Sequence, residues 1–354
     1  MTTAPNRRGA GFAVDAGPEL VTRRIGVIGC GRIGRLHASL LAREVPGYEV
    51  AGVADAVPAA ADGVAAAIGA PVMTIEALLA SDDIDTVAIC SSTDTHVDLV
   101  LAAAAAGKAI FCEKPVSLDL EQVDRALAAV EEAGVPFMIG FNRRFDPGHR
   151  SVRDCVAEGG IGDLHVLRIT SRDPAPPPPE YVAVSGGIFL DMVIHDFDMA
   201  NYVVQSPVTE VFARGAVRVD PRIGEAGDVD TAVTVLTHQD GTITTIDNSR
   251  EAVYGFDQRV EAFGSGGMAV SDNPPRHSGW RRTSEATTGQ PLPWFFLERY
   301  LESYRQEWAE FHSYLVEGGT SPAGTDAARA CTTVALAAGL SLREGRPVQV
   351  KEIG

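Results

Sequence analysis

Gly29-Cys30-Gly31-Arg32-Ile33-Gly34 is the stretch that most limits what this chain can become. It follows Ile25-Gly26-Val27-Ile28, a short apolar run of strand type, and opens a segment with Leu36, Leu40 and Leu41 at helical spacing. A second strand, from Val50 to Ala54, leads into Asp55, 21 residues after Gly34. Glycines in this spacing allow a tight turn and a close approach of backbone to ligand, so that a pyrophosphate can rest on the helix N-terminus. Asp55 would accept hydrogen bonds from the adenosine ribose hydroxyls. A carboxylate there repels a 2′-phosphate and Ala56 beside it supplies no cation, which favours NAD over NADP. A glycine-rich turn with a capping aspartate is the plain alternative. The complete strand, turn, helix and strand context argues against it.

The alternation continues. Helices are expected over residues 58–68, 97–106 and 119–133, with apolar strands at 86–90, 109–112 and 136–141. Continuous apolar strands between helices predict a doubly wound parallel sheet covered on both faces, an α/β dinucleotide-binding domain over residues 23–141. Beyond Asn142 the pattern changes. Strands are expected at 164–171, 208–219, 230–237, 242–248 and 258–263, with Gln239-Asp240-Gly241 as a hairpin signal. These predict an α+β domain over residues 142–354, built on a mostly antiparallel open sheet. Three helices should pack on it, from Gly186-Gly187 to about Val204, over 296–316 and over 327–342. The second of these places Phe296, Tyr300, Tyr304, Phe311 and Leu315 in a stripe that reads as buried core. Residues 271–293 read as a long surface loop.

At 354 residues the chain is long enough for two cores. Its formal net charge of -17 would repel phosphates, which argues against nucleic acid or an anionic membrane surface as a partner. Five cysteines without a C-x-x-C fit a reduced, cytoplasmic interior with neither a disulfide framework nor a metal site. Arg7-Arg8 could open an export signal, but Asp15 interrupts the chain before an apolar core forms. Residues 1–22 are read as a disordered extension, and no run approaches the ~20 apolar residues of a membrane span.

Two further motifs carry chemistry. Cys112-Glu113-Lys114-Pro115 lies at the end of an expected parallel strand, where ligands of doubly wound sheets collect. Lys114 could reach a substrate hydroxyl there, or be an ordinary surface lysine. Asp191 and His195 stand four apart in an expected helix, where a carboxylate beside an imidazole can fix its tautomer and raise its basicity. On these residues alone an ordinary helix with acidic first-turn residues is the commoner explanation.

With Gly29 to Gly34, Glu113-Lys114-Pro115 and the stretch from Gly186-Gly187 to His195-Asp196 in hand, the chain resembles the glucose–fructose oxidoreductase/inositol dehydrogenase family over about residues 24–350. Within that family Gly140 to Pro147 and Thr170 to Pro177 look like those of inositol 2-dehydrogenases. The resemblance implies NAD-linked oxidation of a polyol CH–OH to a ketone, myo-inositol to scyllo-inosose, with Lys114, Asp191 and His195 catalytic. It implies cofactor contacts from Gly29, Gly31, Arg32, Ile33, Gly34, Asp55, Ser91, Thr93, His96, Glu113 and Lys114. Arg143, Asp173 and Tyr254 would meet substrate hydroxyls, although surface ion pairing explains them equally, as a helix-start role explains His96. Relatives of this kind are commonly homotetramers. A dehydrogenase for another sugar, an NAD-using glycoside-cleaving enzyme and a cofactor-sensing binding protein are the competing readings. The proton-transfer set argues against the last.

Overall fold

The computed structural model describes residues 21–354, so the extension expected over residues 1–22 lies, but for Val21 and Thr22, outside the described residues. The chain begins with β1 (Arg23–Ile28), α1 (Arg32–Arg43), β2 (Tyr48–Ala54), α2 (Pro58–Ile68), α3 (Ile75–Ala80) and β3 (Thr86–Ile89). It continues with α4 (Thr93–Ala105), β4 (Ala109–Cys112), α5 (Leu120–Ala133) and β5 (Phe137–Ile139). The five strands form a parallel sheet in the order β2-β1-β3-β4-β5. Every residue of β3 and β4 is buried, as a strand with helices on both faces requires. The helices stop where their caps say they should. Asp119 accepts from the Glu121 amide at 2.8 Å to start α5, and Gly134, at φ 64°, ends it. The chain leaves β1 next to β3 rather than continuing outward past β2. This reversal opens the crevice at the carboxyl ends of the strands where such sheets bind ligands.

A 3-10 turn (Asn142–Phe145) and α6 (Pro147–Ala157) lead into the second half. There follow β6 (Leu164–Arg172), α7 (Pro179–Val182), α8 (Gly187–Asp191), α9 (Ile194–Val204), β7 (Val208–Ala216) and α10 (Pro221–Glu225). Next come β8 (Thr231–His238), β9 (Ile243–Ser249), β10 (Asp257–Gly264), β11 (Gly267–Ser271), β12 (Arg281–Arg282) and β13 (Thr287–Thr288). The chain closes with α11 (Phe296–Arg299), α12 (Leu301–Glu317), α13 (Thr325–Glu344) and β14 (Val348–Gln349). Seven strands make the second sheet, ordered β11-β10-β6-β9-β8-β7-β14. Its pairs are antiparallel except β6 with β9. Strict alternation sends Ala232, Leu236 and Ile246 under the helices and leaves Val233, Ile243, Phe263, Met268 and Val270 exposed on the other face. Residues 271–293 are mostly exposed, with the small β12–β13 hairpin inside them.

Two expected helices are broken. The one over 296–316 divides at Tyr300 into α11 and α12. The other divides between α8 and α9. The amides of Met192 and Val193 both bond to the Ile188 carbonyl, and the ladder restarts from the Val193 carbonyl. That shared carbonyl sets α9 off from α8 and separates Asp191 from His195.

Candidate active site

The glycine turn is built for close approach. Gly29 has φ 95°, and a Cβ there would overlap the backbone of Cys90 and Ser91. A Cβ on Gly34 would overlap the Gly29 carbonyl oxygen, whereas one on Gly31 would stand in open space. α1 starts with no side-chain cap and no acidic residue in its first turn, so its leading amides are left for an anion. Asp55 braces the turn, accepting from the Cys30 amide at 2.6 Å and the Val57 amide at 2.7 Å. Each carboxylate oxygen retains a lone pair for a ribose hydroxyl. Arg32 lies over the Phe295 ring at 5.3 Å, and Ile33 packs on the first core. These residues fit a bound dinucleotide.

After β3, the Ser91 and Thr95 hydroxyls share a hydrogen bond of 2.6 Å, and the half-buried Thr93 begins α4. His96 is buried, with Nδ1 2.8 Å from the Pro115 carbonyl and Nε2 3.1 Å from the Ser91 carbonyl. Burial lowers its pKa, and a neutral imidazole has a single N–H, so it donates to one of these two carbonyls at a time. The Glu113 carboxylate meets His37 Nε2 at 2.7 Å, and Trp308 Nε1 donates to His37 Nδ1 at 2.8 Å. An indole N–H only donates, so the His37 proton sits on Nε2 and Glu113 accepts it. Glu113 thereby faces inward and fixes the chain just before Lys114.

Lys114 carries the first domain to the second. Its Nζ donates to the Asp191 main-chain carbonyl at 2.6 Å and lies 3.9 Å from Asp191 Oδ1. The Asp191 carboxylate accepts a hydrogen bond from the Tyr181 hydroxyl at 2.8 Å and another from Arg250 Nη1 at 3.2 Å. It does not hold His195. The His195 Nδ1 is buried and has no hydrogen-bond partner among the described residues, and the ring lies edge-on to Phe141, 6.2 Å away. The expected carboxylate–imidazole contact fails because the helix breaks between the two residues. Burial, with the charges of Lys114 and Arg143, drives the His195 pKa well below its usual value. The imidazole is therefore neutral at neutral pH, with its charged form disfavoured until negative charge develops beside it.

Asp196 is the carboxylate that fixes this helix. It is fully buried and accepts from Arg143 Nη1 at 2.5 Å and Asn248 Nδ2 at 2.8 Å. Arg143 also points both Nη atoms at the Ser171 hydroxyl, 3.3 Å away, so its guanidinium is engaged within the protein. Asp173 lies among Arg250, Asp191, Arg143 and Asp196, and burial above all pushes its carboxyl up to about 6. Tyr254 is exposed, donating to Asp257 at 2.7 Å and accepting from Arg172 at 2.9 Å. The structure thus brings Lys114, Asp191, His195, Arg143 and Asp173 together and ties the Tyr254 hydroxyl to a neighbouring ion pair. Tyr181, Asp228 and Arg250 join the cluster without having been signalled by the sequence. An arginine after an alternating strand and a tyrosine after prolines carry no motif.

The model of the oxidoreductase family with an NAD-binding Rossmann fold matches residues 23–141, and that of the GFO/IDH/MocA C-terminal domain matches residues 149–270. The chain belongs to the GFO/IDH/MocA oxidoreductase family. It is an NAD-dependent oxidoreductase. Among GFO/IDH/MocA proteins it is 46% identical to the myo-inositol 2-dehydrogenase of Thermotoga maritima, covering 93% of this chain and 99% of the relative. A crystal structure of a myo-inositol dehydrogenase from Corynebacterium glutamicum superposes with a TM-score of 0.88 at 40% identity, over 93% of this chain and 99% of that one. The scyllo-inositol dehydrogenase of Lactobacillus casei, with bound NAD(H) and scyllo-inositol, gives 0.87 at 28% identity, over 93% of this chain and 99% of the other. Among the described residues no helix is long and apolar enough to cross a membrane.

Proposed function

We propose that this chain is an NAD-dependent inositol 2-dehydrogenase, oxidising myo-inositol to scyllo-inosose. The observation that carries the reading is the Lys114–Asp191 contact, which sets a first-domain amine beside a neutral, half-buried His195 at the mouth of the dinucleotide crevice. Relatives named as inositol 2-dehydrogenases at 44–46% identity supply the substrate class.

In this reading the amides of Gly31, Arg32, Ile33 and Gly34 hold the pyrophosphate, and Asp55 holds the adenosine ribose. Ser91, Thr93 and the chain around Glu113 lie toward the nicotinamide half, with His96 bracing them. Bound NAD supplies the hydride acceptor. His195 takes the proton of the reacting hydroxyl, and Lys114 hydrogen-bonds the same oxygen as charge builds on it. Glu113 holds Lys114 in place. Asp173 accepts a further ring hydroxyl, while Arg143 positions His195 through Asp196. Residues 23–141 are the cofactor domain, and residues 142–354 supply the polyol side of the cleft.

The second domain also supports assembly. Val233, Ile243, Phe263, Met268 and Val270 form an apolar face on the open sheet, with no helix over it among the described residues. Such a face is usually covered by a partner, and pairing of these faces would build the homotetramer. The five free cysteines fit a reduced, cytoplasmic setting.

NADH formation against a panel of inositols, hexoses and glycosides tests the activity. Turnover of myo-inositol to a ketone supports it. Reaction of glycosides alone, with no NADH accumulating, would overturn it.

A further inference from the structure

His37 in α1 is completely buried, about one helical turn beyond the Gly34 that closes the glycine turn. A buried imidazole must find its partners within the protein, and this one has two. Trp308 Nε1, from α12 of the second domain, donates to Nδ1 at 2.8 Å, and Nε2 donates to Glu113 Oε1 at 2.7 Å. The line does not stop there. Glu113 Oε2 accepts from the Lys114 main-chain amide at 3.3 Å. Indole, imidazole, carboxylate and amide therefore form one directed chain, ending on the residue whose amine reaches Asp191.

The surroundings confine that chain. The rings of Phe111, Tyr304 and Trp308 stand edge-on to His37 at 5.2, 5.4 and 5.4 Å and close it off from water. Gly140, directly after β5, lies so near that a Cβ there would stand 3.2 Å from Glu113 Cδ and Oε2. Even a methyl group would crowd the carboxylate against its donors. With both oxygens engaged, turning the carboxylate breaks a bond to His37 or to Lys114. None of this machinery needs to touch substrate in order to set where the lysine points.

We propose that Trp308, His37 and Glu113 form a positioning relay for Lys114, with His37 and Trp308 acting on the reacting oxygen only through that lysine. The proposal rests on the reading of Lys114 as the donor to the reacting hydroxyl. The relay ties three parts to one reference point. They are α1, whose N-terminus is shaped for the pyrophosphate, the end of β4 that carries Lys114, and α12 of the second domain.

The test is a double-mutant cycle on single-turnover NADH formation, with enzyme in excess over NAD and myo-inositol saturating, which follows even slow variants. His37→Asn keeps an acceptor for the indole but is too short to reach Glu113. His37→Gln extends an amide N–H to the place of Nε2. With Lys114 present, His37→Asn should slow the step about tenfold or more, since a small misplacement away from the chemistry costs that much. His37→Gln, which keeps the bond to Glu113, should stay within about threefold of wild type. In a Lys114→Met background no amine is left to position, so His37→Asn should cost less than about twofold. The dissociation constant of NAD should not move. An equal cost in both backgrounds, or a glutamine no better than asparagine, would make His37 a part of the core and nothing more, overturning the proposal. If His37→Asn fails to fold, Trp308→Phe takes its place, with a cost of about threefold that likewise vanishes without the lysine. A wild-type rate in Lys114→Met would overturn the role of the lysine, and the relay with it. Wild type that oxidises another polyol but no inositol would overturn the substrate reading alone, and the cycle run on that polyol decides the relay.

Discussion

The Lys114 ammonium donates to the main-chain carbonyl of Asp191 at 2.6 Å, not to its carboxylate. A carbonyl neither titrates nor disappears on substitution at position 191. The lysine therefore keeps its place across a wide pH range and across changes of the Asp191 side chain. Together with the unpartnered His195 Nδ1, this divides the work of the trio. On the proposed function, His195 exchanges the proton, Lys114 steadies the oxygen, and Asp191 serves the substrate rather than the imidazole.

His195→Ala should lower kcat by about 100-fold or more, as loss of a general base does, while NAD binding survives. Asp191→Asn should show itself chiefly in KM, because no hydrogen bond joins the two residues. Steady-state kinetics on both variants separates the roles. A fall in kcat for Asp191→Asn as large as that for His195→Ala, at unchanged KM, would restore the carboxylate–imidazole pair.

The pH profile should report Asp173 rather than His195. The imidazole is already neutral well below its ordinary range, whereas the Asp173 carboxyl is pushed up to about 6. An ionised Asp173 accepts a substrate hydroxyl, so kcat/KM should rise as pH increases through about 6. Asp173→Asn should lower activity and flatten that limb. A limb that persists in the variant assigns it to another group.

Tyr181 donates to Asp191 Oδ1 at 2.8 Å from α7, just beyond the prolines. Tyr181→Phe removes a hydrogen bond to a carboxylate, which is worth about 1.5–3 kcal/mol, or roughly 10- to 100-fold. Its loss should raise the KM of the polyol by up to that factor and leave the KM of NAD unchanged. Equal changes in both would mean that Tyr181 shapes the whole cleft.

Asp55→Ala should weaken NAD and relax the exclusion of NADP. It should also loosen the turn, because the Cys30 and Val57 amides lose their acceptor. KM values for both coenzymes check this, and an unchanged ratio would remove Asp55 from the ribose.

Glu307 in α12 is fully buried, and among the described residues neither carboxylate oxygen has a hydrogen-bond partner. Burial, and then the charge of Glu113, raises its pKa well above the usual value. The folded chain thus holds a proton that the unfolded chain releases, so raising the pH above the ordinary carboxylate range works against folding. Glu307→Gln should be more stable than wild type by roughly 2–4 °C in Tm at about pH 8, and the gain should shrink toward about pH 5. Thermal melts at the two values test it; an equal shift at both would point to packing instead of charge.

The first domain was legible because its signals are local. Strand periodicity, Gly29 to Gly34 and Asp55 occupy one supersecondary unit, and the turn and caps formed where those residues stand. The second sheet was legible in its strands but not in its one parallel pair, since β6 and β9 meet across 70 residues of intervening chain that leave no mark on either strand. The break between α8 and α9 was hidden for the opposite reason. Met192, Val193 and Ile194 are apolar residues with no helix breaker among them, and only the sharing of the Ile188 carbonyl interrupts the ladder. Arg250 was invisible because nothing distinguishes a buried arginine from an exposed one until its three acidic neighbours have been assembled around it.

That interruption after Asp191 makes the cleft modular. α9, with His195, is bolted by Arg143 to Asp196 and by Arg144 to Asp198, ion pairs that do not involve α8. α8 is a separate five-residue piece, hung on Asp228 and Arg250. On the proposed function, substitutions in the small piece would retune which cyclic polyol is gripped, while the proton-moving residue of α9 stays in place. A lineage built on this plan can change its sugar without relearning its chemistry.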